Sequence, residues 1–504
     1  MFSLTHEIVT SHTPESLVEQ LRGLSRRSSA EADESGVMLL RSALFDSPQA
    51  RYSFVVARPF LTLRAFGSRC ELQSATEQRV QFGNPWHILD GLMARYELLD
   101  EADLPFPLGG CFGYWGYDLK NFVEPKLPRR AVNDLELPDC HVGFYDSLVV
   151  FDHRLGKTWI VSTGLDADGS RNEARAREQL EFWKKNFSLK NAKTQSGEFL
   201  RAFAPLREMS SNLSREAFIS KVERAQNYIH AGDIYQVNLS QRLAASCGFS
   251  GWEFFQRLTA VSPAPFAAFL DCGDFQIASS SPELFLHLSG SHIQTRPIKG
   301  TRPRDSDATR DAQLAYELQT SAKELAELVM ITDLLRNDVG KVSEYGSVQV
   351  PELAKLEKFA HVQHLVSTVE GRLRNDATHF SAFASCFPGG SITGAPKFRA
   401  MEIIDELEPV TRGPYTGALG YLGFNRESQL SIVIRAAIVK NSTAYFHVGA
   451  GVVADSNPEA EYAETLAKAA GFLAALNLKS ADCADDADLR GRKKSSVKIG
   501  EICG

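Results

Sequence analysis

The sequence predicts a layered α+β sandwich. Residues 1–185 contain short strand-like segments that are bounded by Gly, Pro, Asp and Ser. The rest of the chain mixes runs of strands with runs of helices, without the strict strand–helix–strand repeat of a doubly wound parallel sheet. Runs of both types therefore favour strands and helices that pack in separate layers.

Each element follows from a local signal. Ser214 has the residue type of a helix N-cap, and the apolar spacing after it predicts a helix that ends at Gly232. Other helices are predicted at residues 171–183 and near Asp311–Arg336, Ala400–Leu407 and Glu459–Leu476. Strands are predicted at Gly36–Leu44, Tyr52–Ala57, Ser147–Phe151, Ile234–Leu239, Phe266–Leu270, Leu284–Leu288, Leu419–Phe424, Ser431–Val439 and Ala444–Val448.

The chain divides into segments of different composition. A polar stretch at residues 187–213 lacks a sustained period and is predicted to link an N-terminal subdomain, residues 1–186, to a larger domain at residues 214–476. Residues 477–504 contain too few apolar side chains to pack, so we expect a disordered tail there.

Composition excludes several classes of function. The chain has 504 residues with 55 Lys+Arg against 62 Asp+Glu, and the net charge of −7 argues against nucleic acid or a membrane surface as partner. No signal-like N-terminus and no run of about 18 apolar residues is found, so we expect a cytoplasmic protein. Eight scattered cysteines suggest neither a zinc site nor a disulfide framework.

Two predicted helices each place charged residues on one face. Glu324, Glu327 and Ile331 follow the i, i+3, i+7 spacing, and a second set with that spacing consists of Glu461, Glu464 and Lys468. Carboxylates from two helices suit Mg²⁺, which needs only one or two protein carboxylates. A solvent-exposed helix face is the alternative interpretation of the same pattern.

Three further segments could carry chemistry. Lys299, between Ile298 and Gly300 in TRPIKGTRPR, could be a desolvated nucleophile or an ordinary exposed lysine. The glycine-rich segments FPGGSITGAPK, residues 387–397, and GAGVVADS, residues 449–456, could offer backbone N–H groups to an anion or could be plain loops. Arg435 lies in the apolar segment SIVIRAAIV and needs a carboxylate partner, either from a ligand or from a structural Asp.

Together these motifs resemble the chorismate-utilising enzymes, and most closely the branch that forms aminodeoxychorismate. The matching segments run in order through residues 214–476: AGDIYQVNLSQR, SSSPELF, TRPIKGTRPR, DLLRNDVGKV, HLVSTVEG, FPGGSITGAPK, SIVIRAAI and GAGVVADSNPEAEYAETLAKA. The N-terminal segments LLRSALFDSPQARYSF and LPFPLGGCFGYWGYDL match as well. The resemblance implies two antiparallel sheets packed face to face with helices outside, and an active site in the C-terminal half.

Two positions discriminate between reactions within the family. Water-adding relatives carry a lysine base where this chain has Gln236, so isochorismate formation is disfavoured. Anthranilate synthases carry a small residue where this chain has Lys299, and a lysine there is typical of the aminodeoxychorismate branch. Anthranilate synthase component I remains the alternative.

The resemblance also implies roles for individual residues. Lys299 attacks ring C2 of chorismate while Glu283 protonates the leaving C4 hydroxyl, and Thr301 and His364 lie near the ring. The implied magnesium ligands are Glu327, Glu464 and Glu461. The implied substrate-binding residues are Arg435, Tyr415, Gly449, Gly451 and Lys468. Next to Phe285, an apolar site is expected to raise the pKa of Glu283.

The N-terminal half suggests a second ligand. Where anthranilate synthases have a tryptophan-binding LLES motif, this chain has an arginine in place of the glutamate. A tryptophan site at Ser42, Arg51, Tyr52 and Ser53 is therefore left open.

No segment resembles a glutamine amidotransferase, so a separate amidotransferase subunit is expected to supply ammonia. A tryptophan-binding subunit without catalytic activity is disfavoured, because the implied catalytic residues are all retained.

Overall fold

The computed structural model describes residues 3–25, 36–42, 50–98, 104–188, 209–359 and 362–476. The predicted tail lies outside the described residues, as does most of the predicted linker. Among the described residues, no helix is both long and apolar enough to cross a membrane. Six cysteines in this part of the chain are buried and free.

The helices and strands of the described residues are numbered in chain order. The helices are α1 (Pro14–Ser25), α2 (Pro85–Tyr96), α3 (Lys120–Val123), α4 (Glu173–Ser188), α5 (Arg215–His230), α6 (Gly251–Val261), α7 (Ala308–Thr320), α8 (Ala322–Gly340), α9 (His379–Cys386), α10 (Lys397–Leu407) and α11 (Pro458–Ala475). The strands are β1 (Leu4–Ile8), β2 (Met38–Arg41), β3 (Tyr52–Val56), β4 (Leu61–Phe66), β5 (Arg69–Ser74), β6 (Gln78–Phe82), β7 (Gly110–Trp115), β8 (Cys140–Tyr145), β9 (Ser147–Asp152), β10 (Lys157–Ser162), β11 (Met209–Ser211), β12 (Gln236–Ser246), β13 (Phe266–Asp271), β14 (Gln276–Ser281), β15 (Leu284–Ser289), β16 (His292–Arg296), β17 (Ile298–Pro303), β18 (Gln349–Lys358), β19 (Val362–Arg372), β20 (Gly394–Ala395), β21 (Ala418–Gly423), β22 (Glu427–Ile432), β23 (Ala436–Lys440) and β24 (Thr443–Val452).

The strands form two large antiparallel sheets. In the first sheet the order is β1-β10-β9-β3-β2-β13-β14-β23-β24-β12-β11, and β20 pairs with β12. In the second the order is β17-β19-β16-β15-β22-β21-β7-β8-β4-β5-β6, and β18 pairs with β19. Residues 1–186 and residues 214–476 contribute strands to both sheets, so the two segments share one architecture.

The sheets pack face to face with helices on their outer faces, which confirms the predicted fold class. Between the sheets, the rings of Phe54 on β3 and Tyr421 on β21 lie 5.1 Å apart at 68°. Apolar side chains of α1, α4, α6 and α11 cover the outer face of the first sheet. Those of α2, α8 and α9 cover the second sheet. Burial of these apolar faces is the main favourable contribution to folding.

Most predicted elements are present, and Ser214 caps α5 by accepting a hydrogen bond from the backbone N–H of Ala217. The helical segment predicted near Asp311–Arg336 is divided into two helices. Two helices, α7 and α8, meet at Ser321, whose side chain accepts from the backbone N–H of Glu324. An N-cap serine of this kind begins a new helix while the apolar spacing continues across the break.

The single strand predicted at Ser431–Val439 is wrong. Strand β22 of the second sheet ends at Ile432 and β23 of the first sheet begins at Ala436. Arg435 lies in the connection with a left-handed φ of 50° and an exposed side chain. Both flanking strands are buried, so an uninterrupted apolar run conceals the point where the chain changes sheets.

Candidate active site

Two adjacent strands of the first sheet form the floor of the site. Gly449 and Gly451 lie on β24 opposite β12, which carries Gln236 and Asn238. A methyl group on Gly451 would lie 2.5 Å from Nε2 of Gln236, and one on Gly449 would lie 2.7 Å from Oδ1 of Asn238. The absence of a Cβ at both positions lets the carboxamides of Gln236 and Asn238 lie directly against β24.

Lys299 on β17 extends over this floor. Its Nζ would lie 3.9 Å from a methyl group on Gly451 and lies 3.9 Å from Oε2 of Glu327 on α8. The side chain is only 18% exposed, so the interpretation as an ordinary surface lysine does not hold.

A bulge next to Lys299 explains the glycine that follows it. Gly300 has a φ of 66°, and the register between β17 and β19 shifts at this point. A Cβ at residue 300 would lie 2.7 Å from Leu318 Cδ1 and 3.0 Å from Glu324 Oε2. Only glycine combines this backbone angle with this close contact.

Glu283 precedes β15 and is 7% exposed. Burial raises the pKa of its carboxyl to about 7, while a hydrogen bond with Ser391 and the positive charge of Lys299 oppose the shift. The apolar setting therefore raises this pKa in the expected direction. A carboxylic acid with such a pKa can release a proton near neutral pH.

The glycine-rich segment at residues 387–397 does not form an open anion loop. Gly389 and Gly390 pack against Ile432 and Leu334, where a Cβ would collide with their side chains. Lys397 is used internally, because its Nζ donates to Asp338 Oδ2 at 2.5 Å and to two backbone carbonyls. What the segment offers to the site is the hydroxyl of Ser391, which sequence reasoning missed because a lone serine carries no pattern.

Thr301 and His364 lie side by side on paired strands. Oγ1 of Thr301 and Nδ1 of His364 are 2.9 Å apart. Burial lowers the pKa of His364 to about 4, and the charge of Arg435 acts in the same direction. His364 is therefore neutral near pH 7.

Tyr415 is held from two sides. Its ring stacks on His447 with centroids 5.0 Å apart at 11°, and the guanidinium of Arg412 lies 5.7 Å from its ring centroid. A methyl group on Gly449 would lie 2.9 Å from the hydroxyl of Tyr415. The structure thus brings the hydroxyl of Tyr415 to the glycine floor, and Arg435 lies in the connection between β22 and β23.

Arg412 ties three segments of the site together, and sequence reasoning missed it. Its guanidinium donates to both carboxylate oxygens of Glu408 at 2.7 and 2.8 Å. It also donates to Ile392 O at 3.1 Å, Thr416 Oγ1 at 3.2 Å and Asn238 O at 2.7 Å. Every N–H of this buried side chain is used, so Arg412 fixes the backbone around Ser391, Asn238 and Tyr415 from behind.

Glu461, Glu464 and Lys468 lie along one face of α11, as the spacing predicts. Lys468 Nζ pairs with Glu464 Oε1 at 2.7 Å and donates to Gly449 O at 2.8 Å. Glu461 Oε1 accepts from the hydroxyl of Ser456 at 2.6 Å. The negative charge of Glu464 helps to raise the pKa values of Glu327 and Glu461, for which burial is the main cause.

These carboxylates fit a magnesium ion that keeps several water ligands. Oε2 of Glu461 is buried without a hydrogen-bond partner, and cation binding would offset its mutual repulsion with Glu464. Throughout the described ranges, no three His, Cys, Asp or Glu side chains are already gathered as a metal cage. Two or three oxygens from α8 and α11 are nevertheless the donor set that Mg²⁺ accepts.

A second cleft lies between the sheets away from Lys299. Its lining includes Ser42, Tyr52 and Phe266. Arg51 is not part of the lining, because it pairs with Asp152 at 2.5 Å. Ser53 lies behind the cleft, where its Oγ accepts from the backbone N–H of Ser42 at 3.0 Å. Two of the four residues of the predicted tryptophan site therefore face the cleft.

A family model described as chorismate binding enzyme matches residues 41–474. The chain belongs to this family. Relatives with two different names are similarly close to it. One is aminodeoxychorismate synthase component 1 of Salmonella typhimurium, 42% identical over 86% of this chain and 91% of the relative. The other is anthranilate synthase component 1 of Acetivibrio thermocellus, 39% identical over 88% of this chain and 90% of the relative.

Among solved structures, anthranilate synthase component I from Streptococcus pneumoniae matches this chorismate binding enzyme with a TM-score of 0.73 and 30% identity. The match covers 93% of this chain and 99% of that one. Two packed sheets with outer helices are therefore the fold of the family as well as of this member.

Proposed function

We propose that this chorismate binding enzyme is an aminodeoxychorismate synthase component I, which converts chorismate and ammonia into 4-amino-4-deoxychorismate and water. The observation that carries the proposal is the position of Lys299. Its amine lies between the glycine floor and Glu327. The positive charge of Lys299 also acts on the pKa of Glu283, a carboxyl that can hold a proton near neutral pH. A nucleophile and an acid in one enclosed site suit a substitution in which a hydroxyl must leave.

In the proposed mechanism, Nζ of Lys299 forms a bond to ring C2 of chorismate. The bond between C4 and its hydroxyl oxygen breaks, and the hydroxyl takes the proton of Glu283 and leaves as water. Ammonia then forms a bond to C4 while the bond between C2 and Lys299 breaks. The C4 ammonium returns a proton to the carboxylate of Glu283, so the enzyme ends in its starting state.

The other residues bind and orient the substrate in this proposal. Tyr415 and Arg435 bind the carboxylate of the carboxyvinyl group, and the backbone at Gly449 and Gly451, together with Lys468, completes this anion site. Thr301 and the neutral His364 lie beside the ring. Glu327 and Glu464, helped by Glu461, would hold Mg²⁺, which supplies positive charge against the ring carboxylate.

Ammonia is proposed to come from a separate glutamine amidotransferase subunit. The component 1 names of the relatives support a partner component.

We also propose that the protein works in the cytoplasm in p-aminobenzoate and folate biosynthesis. A further proposal is that the cleft at Ser42 and Tyr52 binds tryptophan.

The second candidate is anthranilate synthase component I, which the A. thermocellus relative at 39% identity favours. Product analysis separates the two candidates. The purified protein is incubated with chorismate, Mg²⁺ and ammonium, and the product is identified by mass spectrometry. Aminodeoxychorismate retains the carboxyvinyl group, whereas anthranilate is aromatic and fluorescent and is formed with release of pyruvate. Anthranilate as the main product would overturn the proposal.

A further inference from the structure

Two polar side chains meet above Gly449 without a partner. A methyl group on this glycine would lie 2.7 Å from Oδ1 of Asn238 and 2.9 Å from the hydroxyl of Tyr415. These side chains come from β12 and from the segment before β21, so the fold brings them together over the bare Cα. The space above Gly449 is therefore bordered by a carboxamide and a phenol.

Neither group has its hydrogen bonds satisfied within the described part of the chain. Oδ1 of Asn238 is buried and has no hydrogen-bond partner. No described residue donates to or accepts from the hydroxyl of Tyr415, whose ring contacts are with His447 and Arg412. A buried polar group without a partner destabilises the folded state, so its retention beside a binding site points to a ligand.

The backbone of Asn238 is fixed on both sides. Its N–H donates to Thr393 O at 2.9 Å, and its carbonyl accepts from Nη2 of Arg412 at 2.7 Å. The side chain of Asn238 therefore extends from a fixed segment of β12, on the same strand as Gln236. A backbone shift cannot move it away from the space above Gly449. Such preorganisation is what a substrate-binding residue requires.

We propose that the carboxamide of Asn238 is a further substrate-binding residue, which holds the carboxyvinyl group of chorismate together with the hydroxyl of Tyr415. The assignment rests on the proposed substrate site at Tyr415. An amide NH₂ and a phenol hydroxyl are both donors, and the carboxylate of that group offers about four acceptor positions. Rotation of the amide about its last bond presents either the NH₂ or the oxygen to the ligand.

Equilibrium binding of chorismate tests the proposal in the absence of ammonia, so that the identity of the product has no influence. Asn238→Leu keeps the branched shape and the number of heavy atoms of the side chain and removes its polar atoms. A lost hydrogen bond to a charged group is expected to weaken chorismate binding by about tenfold to a hundredfold. Asn238→Asp should weaken it further, because its carboxylate repels that of the substrate.

A double-mutant cycle tests whether the two side chains hold the same group. If both donate to one carboxylate, the combined loss for Asn238→Leu with Tyr415→Phe is smaller than the product of the two single losses. Chorismate binding at wild-type strength by folded Asn238→Leu would overturn the proposal. If the losses of chorismate affinity multiply independently in the double variant, the claim that both side chains hold one carboxylate is overturned.

Asn212→Leu is the matched control. Oδ1 of Asn212 accepts from the backbone N–H of Arg242, toward the other end of β12, at 2.7 Å. The same substitution there should lower folding stability without changing chorismate affinity. If instead both variants weaken chorismate binding equally, damage to β12 explains the loss and Asn238 has no direct role. Anthranilate as product would contradict the proposed function while leaving this binding result intact.

Discussion

The raised pKa of Glu283 leads to a prediction about both rate and stability. The carboxyl titrates near pH 7 instead of the ordinary 4.5 of a glutamate. As the proposed general acid it must be protonated in the free enzyme, so kcat/KM for chorismate should fall about tenfold for each pH unit above pH 7. The assay needs a constant concentration of free ammonia, because ammonium also titrates at alkaline pH.

The same shift contributes to folding stability with a defined sign. Since the folded-state pKa is above the unfolded-state value, the unfolded chain holds fewer protons between pH 4.5 and 7, and stability is lost as pH rises through this window. At 1.36 kcal/mol per unit, the total loss is about 3 kcal/mol. Glu283→Gln cannot titrate, so this variant should lose turnover and should become more stable than the wild type by about that amount at pH 8.

Urea unfolding of both proteins at pH 5 and pH 8 measures the difference, and changes from other titrating groups cancel. Ser391→Ala provides an intermediate test, because it removes the hydrogen bond that holds the pKa down and should move the falling limb of kcat/KM to higher pH. A pH-independent kcat/KM between pH 6 and 9, or near wild-type turnover by Glu283→Gln, would refute the assignment of Glu283 as the acid.

Four further outcomes are expected. Lys299→Ala should lose aminodeoxychorismate formation by several orders of magnitude in kcat and retain chorismate binding, since a nucleophile acts mainly in the transition state; near wild-type turnover would contradict the covalent route. Glu464→Gln should shift the Mg²⁺ dependence of activity to higher concentration, and full activity in excess chelator would exclude the metal site. The isolated chain should turn over with ammonium and fail with glutamine, as followed by glutamate release, until an amidotransferase is added; glutamine-dependent turnover without a partner would contradict this. Arg412→Leu leaves Glu408 buried and unpaired and should cost about 3–5 kcal/mol in chemical unfolding, so an unchanged unfolding midpoint would reject its linking role.

Sequence reasoning found the residues whose neighbours along the chain reveal them. Lys299 next to Gly300, and the charged faces of α8 and α11, depend on spacing within one element, which the sequence displays directly. Those predicted strands that the structure contains were located for the same reason, since their apolar runs end at turn residues.

Residues that act across the fold could not be found in this way. Arg412 is significant because it reaches Asn238, Ile392 and Glu408, and only the packing of three segments brings these together. Ser391 and Asn238 are single polar residues of types that usually lie on the surface. Their roles become visible only when the fold places them at the buried site. The connection at Arg435 between β22 and β23 was not predicted. Hydrophobicity indicates that a strand is buried but carries no information about which sheet the strand joins.

The mixed strand order of the two sheets has a consequence for synthesis. Strand β2 pairs with β13, and β7 pairs with β21. More than half of the chain lies between β7 and β21, so β7 leaves the ribosome long before its partner. At a synthesis rate of about 5–20 residues per second, on the order of tens of seconds pass between β2 or β7 and its partner strand. Any N-terminal strand that forms before its partner has an unpaired edge, and unpaired edges and exposed apolar faces favour aggregation.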